Sequence, residues 1–156
     1  MTRRANRSSM KHQTVLYLSH PFSCRKAVLK WQPRVEEATG LKLLNPFYDT
    51  YEKETMLRVD ANKMKLWQVH QSASLKERQK IVAHDTLLIT KSDGVLLYAP
   101  RRVAVGTWME AWYAKSIGKP VYTITYQKAM SHPWIEYVSA SMFPSVRAFV
   151  RFWQQT

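Results

Sequence analysis

The sequence predicts a three-layer α/β domain, a parallel sheet of about five strands with helices on both faces. Two observations predict it. Short apolar runs alternate with segments whose apolar residues recur every three or four positions, the pattern of strands joined by helical crossovers. The 156 residues, 46% of them hydrophobic, are enough to bury the core of one such domain.

Thr14 to Ser19 reads as a buried first strand, and His20-Pro21-Phe22-Ser23 as the loop after it. Val28, Trp31, Val35 and Ala38 lie on one helical face, with Pro33 as the expected start or kink and Gly40 as the stop. Leu41 to Asn45 is the second strand. Pro46 to Asn62 reads as an irregular, ligand-facing loop, with a short helix near Met64 to His70. Leu75 to Leu88 is helical, Asp93-Gly94 is a turn, and Val95 to Tyr98 is the third strand. A helix from Gly106 to Ile117 ends at Gly118, and Pro120 to Thr125 is the fourth strand. Ser139 to Phe143 is a short fifth strand, and Pro144-Ser145 opens a last helix with a Val146, Phe149, Val150, Trp153 stripe. Right-handed crossovers turn this order into a flavodoxin-like (Rossmann-like) domain over 14–156, after a basic, flexible tail at 1–13.

Composition narrows the function classes. The net charge is +13, from 24 Lys and Arg against 11 Asp and Glu, which favours polyanionic partners such as nucleotides or nucleic acid. The single cysteine, Cys24, excludes an internal disulfide and fits a cytoplasmic, reducing compartment. No apolar run has the roughly 20 residues needed to span a bilayer, so no membrane partner is expected. The five histidines lack metal-ligand spacing, and the sequence has neither a P-loop nor a Gly-rich dinucleotide fingerprint.

The segment Val105-Gly106-Thr107-Trp108-Met109-Glu110-Ala111-Trp112 carries the most chemistry. It is expected to place Glu110 on the first turn of a helix at the carboxyl ends of the strands, where open α/β sheets bind ligands. Thr107-x-x-Glu110 also fits a capping box, with Gly106 supplying the turn. Asp85 is positioned to reach the same cleft from the preceding helix. Two carboxylates in different environments suit cleavage of an N-glycosidic bond, one meeting the sugar and the other handling a proton on the leaving base. Ser19, Ser23, Arg25 and Lys26 in the first loop, and Arg101 and Arg102 before the Glu110 helix, suit a phosphate. Asp93, beside a glycine, reads as a turn residue.

These segments resemble the nucleoside 2-deoxyribosyltransferase family and its nucleotide N-glycosidase relatives, from about Thr14 to Phe152. The resemblance rests on Val15-Leu16-Tyr17-Leu18-Ser19-His20-Pro21-Phe22, on Leu57-Arg58-Val59-Asp60, on the spacing of Asp85 and Asp93, and on Gly106 to Ala114. It implies that Glu110 attacks the anomeric carbon to form a covalent glycosyl ester, that Tyr17 orients that carboxylate, and that Asp85 contacts the base. Release to water or transfer to another base completes the reaction, without metal or redox cofactor. Substrate contacts are expected from Ser19, His20, Phe22, Ser23 and Arg25, from Asp49 and Arg58, from Arg101, Arg102 and Gly106, and from Ser141. The partners implied are a nucleoside or nucleotide and further copies of the chain, in a homo-oligomer with shared active sites.

The sequence departs from the family pattern in two places. Ala104 stands where the transferases carry a second base-binding Asp, and Ser139-Ala140-Ser141-Met142 stands where an Asn is expected. The added arginines look closer to the monophosphate-specific relatives. Two alternatives follow: a non-catalytic protein that binds or sequesters nucleotides, and a nucleic-acid-binding or DNA-directed base-acting protein on the same fold.

Overall fold

The computed structural model describes residues 12–48, 68, 70–71, 73–101 and 104–156. They form five parallel strands, β1 (Val15–Ser19), β2 (Lys42–Leu44), β3 (Gly94–Ala99), β4 (Val121–Thr125) and β5 (Ser141–Phe143), in the order β2-β1-β3-β4-β5. The helices are α1 (Arg25–Thr39), α2 (Leu75–Lys91), α3 (Val105–Ser116), α4 (Pro133–Val138) and α5 (Val146–Trp153). This is the expected three-layer, flavodoxin-like arrangement.

Alternation along the strands sorts the core into two faces. Leu16, Leu18 and Leu96 pack with Val28 and Val35 of α1 and Phe149 of α5. Tyr17, Val95, Leu97 and Ala99 pack with Ile89 of α2 and Ala111 and Ala114 of α3. A fully buried leucine contributes about 1.5–3 kcal/mol, so Leu16, Leu18, Leu96 and Leu97, each at most 1% exposed, fix the register of the central pair.

The sheet changes direction between β1 and β3, and this crevice is where open α/β sheets take ligands. At its amino edge the Asp93 carboxylate accepts from the Val15 N–H at 2.8 Å, which pins β1 to β3. Asp93 is thus a structural residue, as its place beside Gly94 suggested. Gly94 itself cannot carry a side chain, because a Cβ there would lie 2.8 Å from the Pro120 carbonyl oxygen.

Two local expectations, at Pro33 and at Ala38, are corrected, and the helix stop at Gly118 stands. Helix α1 runs through Pro33 without interruption and starts at Arg25 instead. Ala38 is exposed and does not share the buried face of Val28 and Val35. Gly118, at φ +77°, follows α3 in a left-handed conformation, and Lys119 N–H reaches back to the Ala114 carbonyl at 2.9 Å. The stripe on α5 lies against the sheet, where Phe149 meets Phe143 and Trp153 meets Tyr122. Residues 1–11 of the expected tail, and most of the segment from Pro46 through the expected helix at 64–70, lie outside the described residues. No helix among the described residues is long and apolar enough to cross a membrane.

Candidate active site

The site forms where β1 ends and α3 begins. Because side chains alternate along β1, Tyr17 and Ser19 both face α3. The Tyr17 hydroxyl donates to Glu110 Oε1 at 3.0 Å, and the Ser19 hydroxyl donates to Oε2 at 2.5 Å. Ser19 Oγ also lies 3.4 Å from the Thr107 carbonyl oxygen. Both hydroxyl residues are fully buried, so the carboxylate is held against the sheet by two fixed donors.

Glu110 does not sit on the first turn. Helix α3 begins at Val105, which makes Glu110 its sixth residue, in the second turn. The N-cap is Ala104, whose side chain caps nothing, and Thr107 is buried inside the helix. The capping-box reading therefore fails: the Glu110 carboxylate meets β1. Gly106 does not supply a turn either. It lies in the first turn of α3, and a Cβ there would meet nothing within 4 Å.

Burial pushes the Glu110 pKa up to about 7, against the pull of the Ser19 and Tyr17 hydroxyls, which favour the ionised form. A carboxylate so tuned is half protonated near neutrality and poised to change state during a reaction.

Asp85 lies on α2, one turn before buried Ile89, and its Oδ1 is 3.7 Å from His84 Nδ1. Helices α2 and α3 both run from the carboxyl edge of the sheet toward its amino edge, and Thr90 of α2 meets the Tyr113 hydroxyl of α3 at 3.1 Å. Five residues above Thr90, at about 1.5 Å per residue, Asp85 stands near the level of the α3 turns that carry Thr107 to Glu110.

His20 is buried beside the site. Its Nδ1 is 3.0 Å from the Pro21 carbonyl oxygen and its Nε2 is 3.2 Å from Asn45 Oδ1. Asn45 in turn donates to Gln32 Oε1 at 3.1 Å, and Gln32 donates to the Leu43 carbonyl at 3.1 Å. Phe47 packs on the His20 ring at 4.9 Å. Burial lowers the His20 pKa, so the imidazole is predominantly neutral at pH 7, tying the first loop to the end of β2. Sequence reasoning missed Gln32, Asn45 and Phe47. Only the asparagine closing an apolar run beside a Pro-Phe turn hinted at them.

The remaining expected residues divide into three groups. Phe22, Ser23 and Arg25 occupy the loop and first turn after β1, where the Arg25 guanidinium lies 3.8 Å from the Phe22 ring centre and donates to the Phe22 carbonyl at 3.2 Å. Arg101 is exposed, and its charge acts on both Cys24 and Tyr98, which brings it beside that loop. Ser141 opens the edge strand β5 opposite Tyr122, at the amino edge of the sheet and away from Glu110. Asp49, Arg58 and Arg102 lie outside the described residues.

Comparison with solved structures points to one architecture. The 2-deoxyribosyltransferase of the psychrotolerant bacterium Bacillus psychrosaccharolyticus matches with a TM-score of 0.62 at 17% identity, over 91% of this chain and 89% of that one. The CMP N-glycosidase BcmB of Clostridium botulinum matches with a TM-score of 0.54 at 14% identity, over 91% of this chain and 98% of that one. The chain has the fold of these two enzymes. No family model matches the sequence, and no curated protein matches it.

Proposed function

We propose that this protein cleaves the N-glycosidic bond of a deoxynucleotide or deoxynucleoside through a covalent ester on Glu110. The observation that carries the reading is the Glu110 carboxylate held by two buried hydroxyls at the switch point of the sheet. The two enzymes of the same fold, which act on 2-deoxyribosyl and CMP substrates by their names, support it.

In the proposed reaction, one Glu110 oxygen attacks C1′ while the bond from C1′ to the base nitrogen breaks. The electron pair leaves with the base, which takes a proton delivered at Asp85. Water then attacks C1′ and loses a proton to solvent, the sugar–Glu110 bond breaks, and its electron pair restores the carboxylate. A second base in place of water gives transfer. The phosphate of a nucleotide would meet Ser23, Arg25 and Arg101, the hydroxyl and cations nearest the first loop, with Arg102 next in sequence.

A second reading has its own support. The N-cap of the helix carrying Glu110 is Ala104, where the resembling transferases carry an Asp, and this removes one group that would hold a base. A protein that binds nucleotides without turning them over would look the same. We also propose that copies of the chain associate and share sites. The support is an exposed aromatic cluster on α3 and α4, where Trp112 packs on Trp134 and Tyr137 at 5.8 and 6.0 Å while Trp134 and Tyr137 remain 64% and 59% exposed.

Incubation with each common deoxynucleoside and its 5′-monophosphate, followed by chromatography for free base, tests the main reading. Release of base that disappears in a folded Glu110→Ala variant is expected. Tight binding with no released base would favour the second reading. Salt-sensitive binding to oligonucleotides alone would favour a nucleic-acid partner.

A further inference from the structure

The sequence placed Ser19 among groups that hold a phosphate. Its surroundings assign it otherwise. The side chain is fully buried, and its hydroxyl has a single hydrogen, which points at Glu110 Oε2. A second acceptor, the Thr107 carbonyl, stands 3.4 Å from the same oxygen. Ser19 can therefore donate to an ionised Glu110. When Glu110 carries a proton or a sugar, it can instead turn its hydrogen to Thr107.

This geometry has a directional consequence. A hydrogen bond to a carboxylate stabilises its negative charge, more strongly than one to a neutral oxygen. It slows attack by that carboxylate and eases its departure. In a two-step glycosyl transfer, Glu110 is nucleophile in the first step and leaving group in the second. Tyr17 acts on the other oxygen, Oε1.

We infer that Ser19 is a positioning residue for Glu110 that favours breakdown of the glycosyl ester over its formation, by returning its hydrogen from the Thr107 carbonyl to the departing Oε2. The inference rests on the covalent reading proposed above. In the second step the C1′–O bond breaks, its electron pair returns to Glu110, and water supplies the new C1′–O bond, losing a proton to solvent. Ser19 keeps its own proton throughout.

The test compares wild type, Ser19→Ala and Ser19→Thr at pH 9, where Glu110 is ionised in the free enzyme, using whichever substrate releases base. Acid-quenched protein is weighed by mass spectrometry for the sugar adduct, and base release is followed before and after the first turnover. In Ser19→Ala the first turnover is expected to stay within about threefold, while later turnovers slow by about ten- to a hundredfold, the range of one hydrogen bond to a charged group. The adduct then accumulates. Ser19→Thr restores the hydroxyl and is expected to restore turnover, provided that its melting curve shows the extra methyl is accommodated. If that variant does not fold, the adduct level in Ser19→Ala decides alone. An adduct that forms in wild type but does not accumulate in Ser19→Ala overturns this role and leaves the Glu110 reading intact. Absence of any adduct in wild type during turnover overturns both.

Discussion

Tyr17 and Glu110 stand 93 positions apart in the chain, and the Tyr17 hydroxyl donates to Glu110 Oε1 at 3.0 Å. The strand buries the ring completely, so the donor is fixed before any ligand arrives. Fixed donors cost no reorganisation when charge develops beside them.

Removing that donor gives the first prediction. Tyr17→Phe keeps the packed ring and loses a hydrogen bond to a charged group, worth about 1.5–3 kcal/mol. The ionised form of Glu110 loses support, so its pKa rises above about 7. The acid limb of the kcat/KM profile is expected to move to higher pH, with a larger loss at pH 7 than at pH 9. An unshifted limb would show that Tyr17 does not act on the Glu110 charge.

Stability should carry the same signature. The native protein holds a proton on Glu110 up to about pH 7, whereas an unfolded chain releases it near the ordinary glutamate value of about 4.3. Native stability therefore falls as pH rises between those values, and the loss is complete above about pH 8. Glu110→Gln removes this term. The variant is expected to gain about 1–3 kcal/mol over wild type at pH 8, with most of that gain absent at pH 5. Melting temperatures at the two pH values check it, and equal differences would refute the linkage.

Asp85 has a separate expected role. If it delivers the proton to the base, Asp85→Asn slows cleavage of poor leaving bases by tenfold or more and spares activated ones. Equal slowing of both would argue against proton delivery.

The first loop and Arg101 predict a phosphate preference. Each charge-assisted contact contributes about 1.5–3 kcal/mol, so a 5′-monophosphate should exceed its nucleoside in kcat/KM by a hundredfold or more. Arg101→Ala, made with Arg102→Ala, should narrow that ratio. If the ratio is large and the double variant leaves it unchanged, the phosphate belongs to Ser23 and Arg25 alone. If nucleoside and monophosphate serve equally, the basic loop serves another ligand.

The aromatic cluster predicts association. Light scattering at micromolar concentration should give a mass above the monomer for wild type and a lower one for Trp134→Glu with Tyr137→Lys. A monomeric wild type would exclude a shared site.

The fold was legible because each strand of this sheet is short, apolar and bounded by polar turns, and because Gly40 and Gly118 mark the helix ends. Glu110 was legible from its place after β3. Its partners were only half legible. Tyr17 came from a resemblance, although two-residue alternation along β1 already puts Ser19 on the same face. A serine before a helix looks like a phosphate ligand until the strand's pleat is taken into account. The turn of Glu110 was misplaced because Thr107-x-x-Glu110 mimics a capping box, whereas the N-cap is Ala104 and Thr107 is buried. His20 depends on Asn45 and Gln32, contacts between β1, β2 and α1 that no local pattern encodes.

The pin between Asp93 and Val15 bears on how the molecule assembles. It joins positions 78 residues apart, and the central pair it closes is the one that carries Tyr17 and Ser19 and launches α3. Pairing over such a separation has to close a long loop before its contacts reward it, and distant pairings slow folding. The hydroxyls and the carboxylate thus meet only in a chain that has completed its central sheet. A form without that pair lacks the constellation, and recovery of the proposed base release during refolding would time the closure of β1 on β3.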